Sequence, residues 1–176
     1  AKRLLLLAEQ FSLPVITFVD TAGAYPGIEG EERCQSEAIA RNLATMSELK
    51  TPIVVVVSGE GGSGGALAIS IGDHLCMLEY AIYSVASPEA CASIIWREAE
   101  KAPDAAKAMK VSSKELKKIN IVDEIIQEPL GGAHRDYDLI AQNVKSSLIK
   151  NLSILNKISI EDLLERRYKR ILSVGE

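Results

Sequence analysis

The segment Gly59-Glu-Gly-Gly-Ser-Gly-Gly-Ala-Leu-Ala68, which follows directly on Ile53-Val-Val-Val-Val57, constrains this chain more than any other part of it. Five β-branched residues in a row favour a strand buried on both faces. Five glycines within the next seven positions strip side chains from the exit of that strand, where backbone must approach another group closely. An Ala/Leu/Ile pattern follows, so the glycines lead into a helix whose first amides can face a ligand oxygen.

Several chemistries fit these residues as a string. Gly59-x-Gly61-x-x-Gly64 matches the dinucleotide fingerprint, with Glu79 near the spacing of a ribose-binding acid. Gly61-x-Ser63-x-Gly65 matches a nucleophile elbow, and Asp123 and His134 follow in hydrolase order. A phosphate-binding P-loop is excluded, because Gly65 and Ala66 stand where its Lys is required. The amides of Gly64, Gly65 and Ala66 also suit an oxyanion hole that stabilises developing negative charge. A tight turn that merely packs helix on sheet is the reading without a ligand.

Composition limits the setting. With 176 residues, 47% hydrophobic and a net charge of −4, the chain is expected to form one domain over residues 1–176 without a general basic attraction for nucleic acid. Its longest apolar runs, Leu4 to Leu7 and Ile53 to Val57, fall far short of the ~20 residues of a membrane span. Cys34, Cys76 and Cys91 are odd in number and lack CxxC or Cys/His spacing, so buried thiols in a reducing compartment are expected rather than disulfides or a metal site. The start Ala1-Lys2-Arg3 has no Met and reads as the inside of a helix, so a fragment is expected whose missing front half completes the sheet.

Hydrophobic periodicity gives alternating helices and strands. A helix is predicted over Leu4 to Phe11, a strand over Val15 to Val19, a Gly/Pro-punctuated loop over Asp20 to Glu32, and a helix from Glu37 to Leu49. After the Val strand and the glycines, a helix over Leu67 to Ile71 leads to strands at Leu75 to Leu78 and Ala81 to Val85. Ser87-Pro-Glu starts the next helix, Ser112-x-x-Glu115 is a capping box, and Ile121 to Ile126 reads as the final strand. Helices over Tyr137 to Leu152 and Ile160 to Leu172 close the chain; the late Arg166, Arg167, Lys169 and Arg170 read as a solvated face suited to the helix dipole. Glu32 and Arg33 are expected to pair at a helix start.

Asp20-Thr-Ala-Gly-Ala-Tyr-Pro-Gly27 is a second informative loop, leaving its strand as the glycine stretch leaves the Val strand. Ligands of α/β folds gather outside the carboxyl ends of strands, so the two loops are expected to share one pocket. Tyr25 offers it an aromatic face and a hydroxyl.

Five segments together carry a resemblance: Asp20 to Gly27, Glu31 to Leu43, Gly59 to Ala68, Tyr83-Ser-Val-Ala-Ser-Pro-Glu-Ala-Cys-Ala-Ser-Ile-Ile-Trp96, and Glu128-Pro-Leu-Gly-Gly-Ala-His-Arg135. They resemble the carboxyltransferase α subunits of the multisubunit acetyl-CoA carboxylases of bacteria and plastids, nearly end to end through Arg166-Arg-Tyr168. The N-terminal portion of such subunits is absent, and Ala22 stands where the family usually has Pro.

The resemblance implies an α/β crotonase/ClpP-like fold, a spiral of ββα units truncated at the N-terminus and followed by C-terminal helices. It implies transfer of a carboxyl group from carboxybiotin, held on a biotin carboxyl carrier protein, to acetyl-CoA, giving malonyl-CoA for fatty acid biosynthesis. Gly64, Gly65 and Ala66 would be the backbone donors to the ureido oxygen of biotin, with Gly23, Ala24, Tyr25, Gly61 and Gly62 binding substrate. A β subunit, carrying the family's zinc, would be the partner in an α2β2 assembly in the cytoplasm, and a separate biotin carboxylase would use the ATP. On this reading Ser63 and His134 need no catalytic role. A serine hydrolase built on Ser63, Asp123 and His134, and a non-catalytic scaffold for the β subunit, are the alternatives.

Overall fold

Ile53–Val57 is buried completely, each residue at 0% exposure, in a computed structural model that describes residues 1–174. The five lie in strand β2 (Ile53–Gly62), which pairs in parallel with β1 (Val15–Thr21) on one side and β3 (His74–Leu78) on the other. A parallel sheet covered on both faces has no solvent side, which is why the run is apolar without alternation. Burying each such side chain contributes roughly 1.5–3 kcal/mol. Strand β5 (Glu124–Ile126) continues the sheet beyond β3, in the order β1-β2-β3-β5.

Parallel neighbours require crossovers, and helices supply them. Helix α1 (Lys2–Gln10) enters β1; α2 (Ile28–Glu32) and α3 (Gln35–Glu48) connect β1 to β2; α4 (Ser63–Leu67) connects β2 to β3. After β4 (Ile82–Ser84), helices α5 (Pro88–Trp96), α6 (Ala102–Met109) and α7 (Ser113–Lys118) lead to β5, and α8 (Tyr137–Leu155) and α9 (Ile160–Leu172) close the chain. Ser87 caps α5 as its sequence predicts, accepting the Ala90 N–H at 3.1 Å. A single cluster of buried residues runs from Leu5 in α1 to Leu163 in α9, and α5 and α6 share a small satellite built on Cys91, Ala92 and Ala105. No helix among the described residues is long and apolar enough to cross a membrane.

The sheet differs from expectation where the glycines begin. They form no loop: β2 continues through them to Gly62, pairing Glu60, Gly61 and Gly62 with Ile82, Tyr83 and Ser84 of β4. Strand β2 therefore has β3 as neighbour over its first half and β4 over its second. Its helix runs Ser63–Leu67, so a turn over residues 68–70 stands where the sequence predicts a helix from Leu67 to Ile71, and β5 begins only at Glu124, after a turn at Ile119 and Asn120. Helices α2 and α6 lie in stretches that carry too little periodicity to predict them.

Three side-chain expectations also change. Cys34 is exposed, whereas Cys76 and Cys91 are buried. Glu32 and Arg33 are both exposed and form no ion pair among the described residues. Arg167 is 0% exposed rather than part of a solvated face. Its helix phase turns it inward, where it donates to the carbonyls of Met46, Leu49 and Thr51 and pairs with Asp73.

Candidate active site at the start of helix α4

Strands β1 and β2 end side by side, with Val19 opposite Val57, Thr21 opposite Gly61, and a register irregularity between them. The Asp20 to Gly27 loop thus emerges beside the glycine stretch and makes backbone contact with it. A Cβ on Gly65 would lie 2.6 Å from the carbonyl carbon of Gly23 and 2.7 Å from the Ala24 nitrogen, and one on Gly62 would collide with the Ala22 carbonyl. Glycine at these two positions is what lets the loop seat on the first turn of α4. The loop is pinned in turn by Thr21, whose Oγ1 accepts the Gly23 N–H at 3.2 Å.

Ser63 makes the corner from strand to helix with φ of +52°, a conformation costing a non-glycine residue roughly 1–2 kcal/mol. In a helix starting at Ser63, the amides of Ser63, Gly64 and Gly65 precede the first i−4 acceptor, whereas that of Ala66 faces the Gly62 carbonyl. Ala66 is also wholly buried. Of the three amides expected from sequence, those of Gly64 and Gly65 are therefore the two that lie ahead of the first i−4 helical bond.

Gly64 opens onto a cavity of about 350 Å³, walled mainly by Leu67, Tyr83, Val85 and Met109. Burial raises the Tyr83 phenol above its ordinary value, so it stays neutral at physiological pH. Apolar walls lower the local dielectric and strengthen any hydrogen bond from the α4 amides to an anionic oxygen. Gly61 and Gly62 are buried in the β2–β4 pairing behind this wall. Asp20 and Glu60 are both exposed near the strand ends, where the Asp20 carboxylate accepts the Glu60 N–H at 3.0 Å.

Tyr25 is 62% exposed, and its ring covers Gly27 within its own loop. Its backbone is held by a residue that the sequence did not single out. With the Gln35 side-chain amide assigned the orientation that its two neighbours require, its nitrogen donates to the Tyr25 carbonyl at 2.7 Å and its oxygen accepts the Tyr25 N–H at 3.0 Å. Gln35 opens α3, so that helix fixes the loop while leaving the phenol accessible.

The serine-hydrolase arrangement does not form. Ser63, Asp123 and His134 line three separate cavities. Asp123 is spent on structure, accepting the Leu75 N–H at 2.7 Å and Arg170 at 2.7 Å. The dinucleotide reading fails as well, because its tight turn after the first glycine is replaced by continuing strand, and Glu79 pairs with Lys114 at 3.3 Å.

The sequence profile of a family described as acetyl co-enzyme A carboxylase carboxyltransferase-like matches residues 1–175. The chain is 58% identical over 175 residues to an acetyl-coenzyme A carboxylase carboxyl transferase subunit alpha of Vibrio cholerae, covering 99% of this chain and 55% of that protein. It is 59% identical to the same subunit of Pseudomonas entomophila, covering 99% and 56%. The chain thus spans a little over half the length of these relatives. Among solved structures it is similar to transcarboxylase 12S, with a TM-score of 0.75 and 21% identity over 89% of this chain and 30% of that one. It is also similar to a chain of a Pseudomonas malonate decarboxylase hetero-tetramer in complex with coenzyme A, with a TM-score of 0.75 and 16% identity over 98% and 70%. At these identities the likeness shows the fold, which is of the crotonase type.

Proposed function

Because the chain belongs to the acetyl-CoA carboxylase carboxyltransferase-like family, we propose that it forms one carboxyltransferase domain of a longer α subunit. In this reading it acts in the cytoplasm with a β subunit, in an α2β2 assembly, to move a carboxyl group from carboxybiotin to acetyl-CoA. The product is malonyl-CoA. Biotin arrives as a substrate on its carrier protein, loaded by an ATP-dependent biotin carboxylase, and its ureido oxygen takes up negative charge as the carboxyl group leaves.

The chain's own residues meet that charge with the amides of Gly64 and Gly65. Both precede the helical ladder and Gly64 stands at the edge of an apolar cavity, so they cost no reorganisation when charge develops. Losing one such donor costs about 3–4 kcal/mol in comparable sites. Ala66, whose amide is engaged, anchors α4 in the core. Gly23 and Ala24 hold the first turn in position from the neighbouring loop, Gly61 and Gly62 seat it from behind, and Tyr25 presents its ring to the incoming biotin. The observation that carries this reading is the contact of Gly23 and Ala24 with Gly65.

The test is carboxyl transfer in a complex reconstituted from a subunit containing this chain, the β subunit and carboxylated carrier. Malonyl-CoA formation is expected from the wild-type complex and is expected to collapse for Gly65→Val while the subunits still assemble. A normal rate for that variant overturns the site.

A further inference from the structure

Sequence spacing shows no metal site, but folding brings together three potential ligands. His74 and Cys76 alternate along β3 and so share one face of the sheet, and Glu124 of β5 stands directly opposite Cys76 in the parallel register. A nitrogen of His74, the Cys76 sulfur and a carboxylate oxygen of Glu124 all lie within 4.8 Å of one another. This face is covered by α8, whose Ser147 and Asn151 reach the same atoms: Ser147 Oγ lies 3.4 Å from Cys76 Sγ, and Asn151 Nδ2 donates to Glu124 at 2.9 Å. His74 Nε2 is buried yet has no hydrogen-bond partner. The Glu124 carboxylate stands 3.5 Å from it.

We propose that His74, Cys76 and Glu124 bind a divalent cation of the zinc class, which ties β3 to β5 beneath α8. One nitrogen, one sulfur and one oxygen donor suit a borderline metal such as Zn²⁺ or Co²⁺ and are unsuited to Mg²⁺ or Ca²⁺, which take oxygen alone. Metal–ligand bonds of about 2.0–2.3 Å place tetrahedral ligands roughly 3.3–3.8 Å apart. The proposal requires His74 and Glu124 to close that difference by rotating about their own χ angles. The adjoining cavity of about 510 Å³, which His74, Glu124 and Asn151 line, supplies a water as fourth ligand. The cation takes Cys76 as its thiolate and displaces the proton to solvent on binding. Lys150, 3.2 Å from Glu124, releases the carboxylate when the metal takes it; Lys117 and Arg166 line the same cavity. The cluster and Gly64 line different cavities, so the proposal stands independently of the carboxyltransferase reading.

Cobalt titration of the full chain tests it, in a Cys34→Ser background that removes the exposed thiol. One equivalent of Co²⁺ is expected to bind and to produce thiolate-to-cobalt charge-transfer absorption in the near ultraviolet. Zn²⁺ is expected to displace the cobalt and to raise the melting temperature. Cys76→Ser should lose the charge-transfer band, and His74→Gln should bind at least tenfold more weakly. Circular dichroism without metal identifies any variant that does not fold, and the other then carries the comparison. Binding that is absent in the wild-type chain, unchanged in the folded variants, or free of a thiolate band overturns the proposal.

Discussion

Arg167 and Asp73 form a bidentate ion pair, Nε to Oδ1 at 2.8 Å and an Nη to Oδ2 at 2.7 Å, with both side chains wholly inaccessible to solvent. The partners are 94 residues apart, and each does further work. Asp73 Oδ2 accepts the Ile53 N–H at 2.8 Å, and Arg167 donates to the carbonyls of Met46, Leu49 and Thr51 at 2.8, 2.7 and 3.0 Å. One guanidinium thereby satisfies the end of α3, the entry to β2 and the entry to β3 together. Desolvating two charges is costly, and only such full hydrogen-bond satisfaction offsets it.

Breaking this pair on one side is expected to destabilise the fold severely. Arg167→Met leaves Asp73 charged and buried and three carbonyls without a donor, a loss of about 3–5 kcal/mol. Arg167→Lys should recover little of it, because one ammonium cannot span the same acceptors. Urea unfolding of Arg167→Met, of Asp73→Asn and of the double variant gives the coupling, which should reach about 1–3 kcal/mol. Additive single-site losses would show that the pair does not act as a unit.

Gly64 and Gly65 should respond oppositely to the same methyl group. At Gly65 the added carbon would lie 2.6 Å from the Gly23 carbonyl carbon, whereas at Gly64 the nearest atom is Ile39 Cδ1 at 3.7 Å. Gly65→Ala must push the neighbouring loop away and misplace its own amide, so carboxyl transfer is expected to fall about 10²- to 10³-fold. Gly64→Ala fits without displacement, and its melting temperature should stay close to that of the wild type. Equal rates for the two variants would separate catalysis from this contact.

Gln35 is expected to act through Tyr25. Its amide brackets the Tyr25 backbone from the start of α3, and the residue touches the candidate site nowhere else. Gln35→Ala should raise KM for the carboxylated carrier several-fold with kcat little changed, and lower stability by about 1–3 kcal/mol as a half-buried side chain loses two hydrogen bonds. Gln35→Glu keeps only the acceptor half of the bracket and should fall between the two. A fall in kcat at unchanged KM would assign Gln35 to the chemistry instead of to the loop.

Elements whose own residues carry the signal were legible in the sequence. The run Ile53–Val57 announces a doubly covered strand, and Ser87-Pro88 announces α5 because cap and ring act locally. The contact of the Asp20 to Gly27 loop with the glycine stretch was legible for the same reason, although the stretch is strand and the start of α4 rather than a second loop. What was not legible depends on neighbours distant in sequence. Glycine has no pattern of its own, so nothing in residues 59–62 shows that β4 extends them as strand. Among Arg166, Arg167, Lys169 and Arg170, only the phase of α9 over Asp73 decides which one turns inward. The site of His74, Cys76 and Glu124 stayed hidden because its spacing runs across the sheet, from β3 to β5, rather than along the chain.

Ser63 is the most conspicuous side chain of the glycine stretch, and its substitution should matter least. Its exposed hydroxyl makes none of the hydrogen bonds found among the described residues, and the residue is set apart by its backbone, with φ of +52°. Asp123, by contrast, holds the Leu75 N–H and Arg170. A nucleophile would make Ser63→Ala inactive and Ser63 the target of a fluorophosphonate probe. The geometry predicts neither: Ser63→Ala should retain carboxyl transfer within roughly twofold of wild type, and no probe should attach. Asp123→Asn should lose about 1–3 kcal/mol of stability, because it weakens a charged hydrogen bond to Arg170 and to the backbone. Ser63→Gly relieves the left-handed strain while adding chain entropy, so its stability should remain within about 1 kcal/mol of wild type. Labelling of Ser63, together with loss of activity in Ser63→Ala, would reinstate the serine as the reacting group and remove the amides of Gly64 and Gly65 from that role.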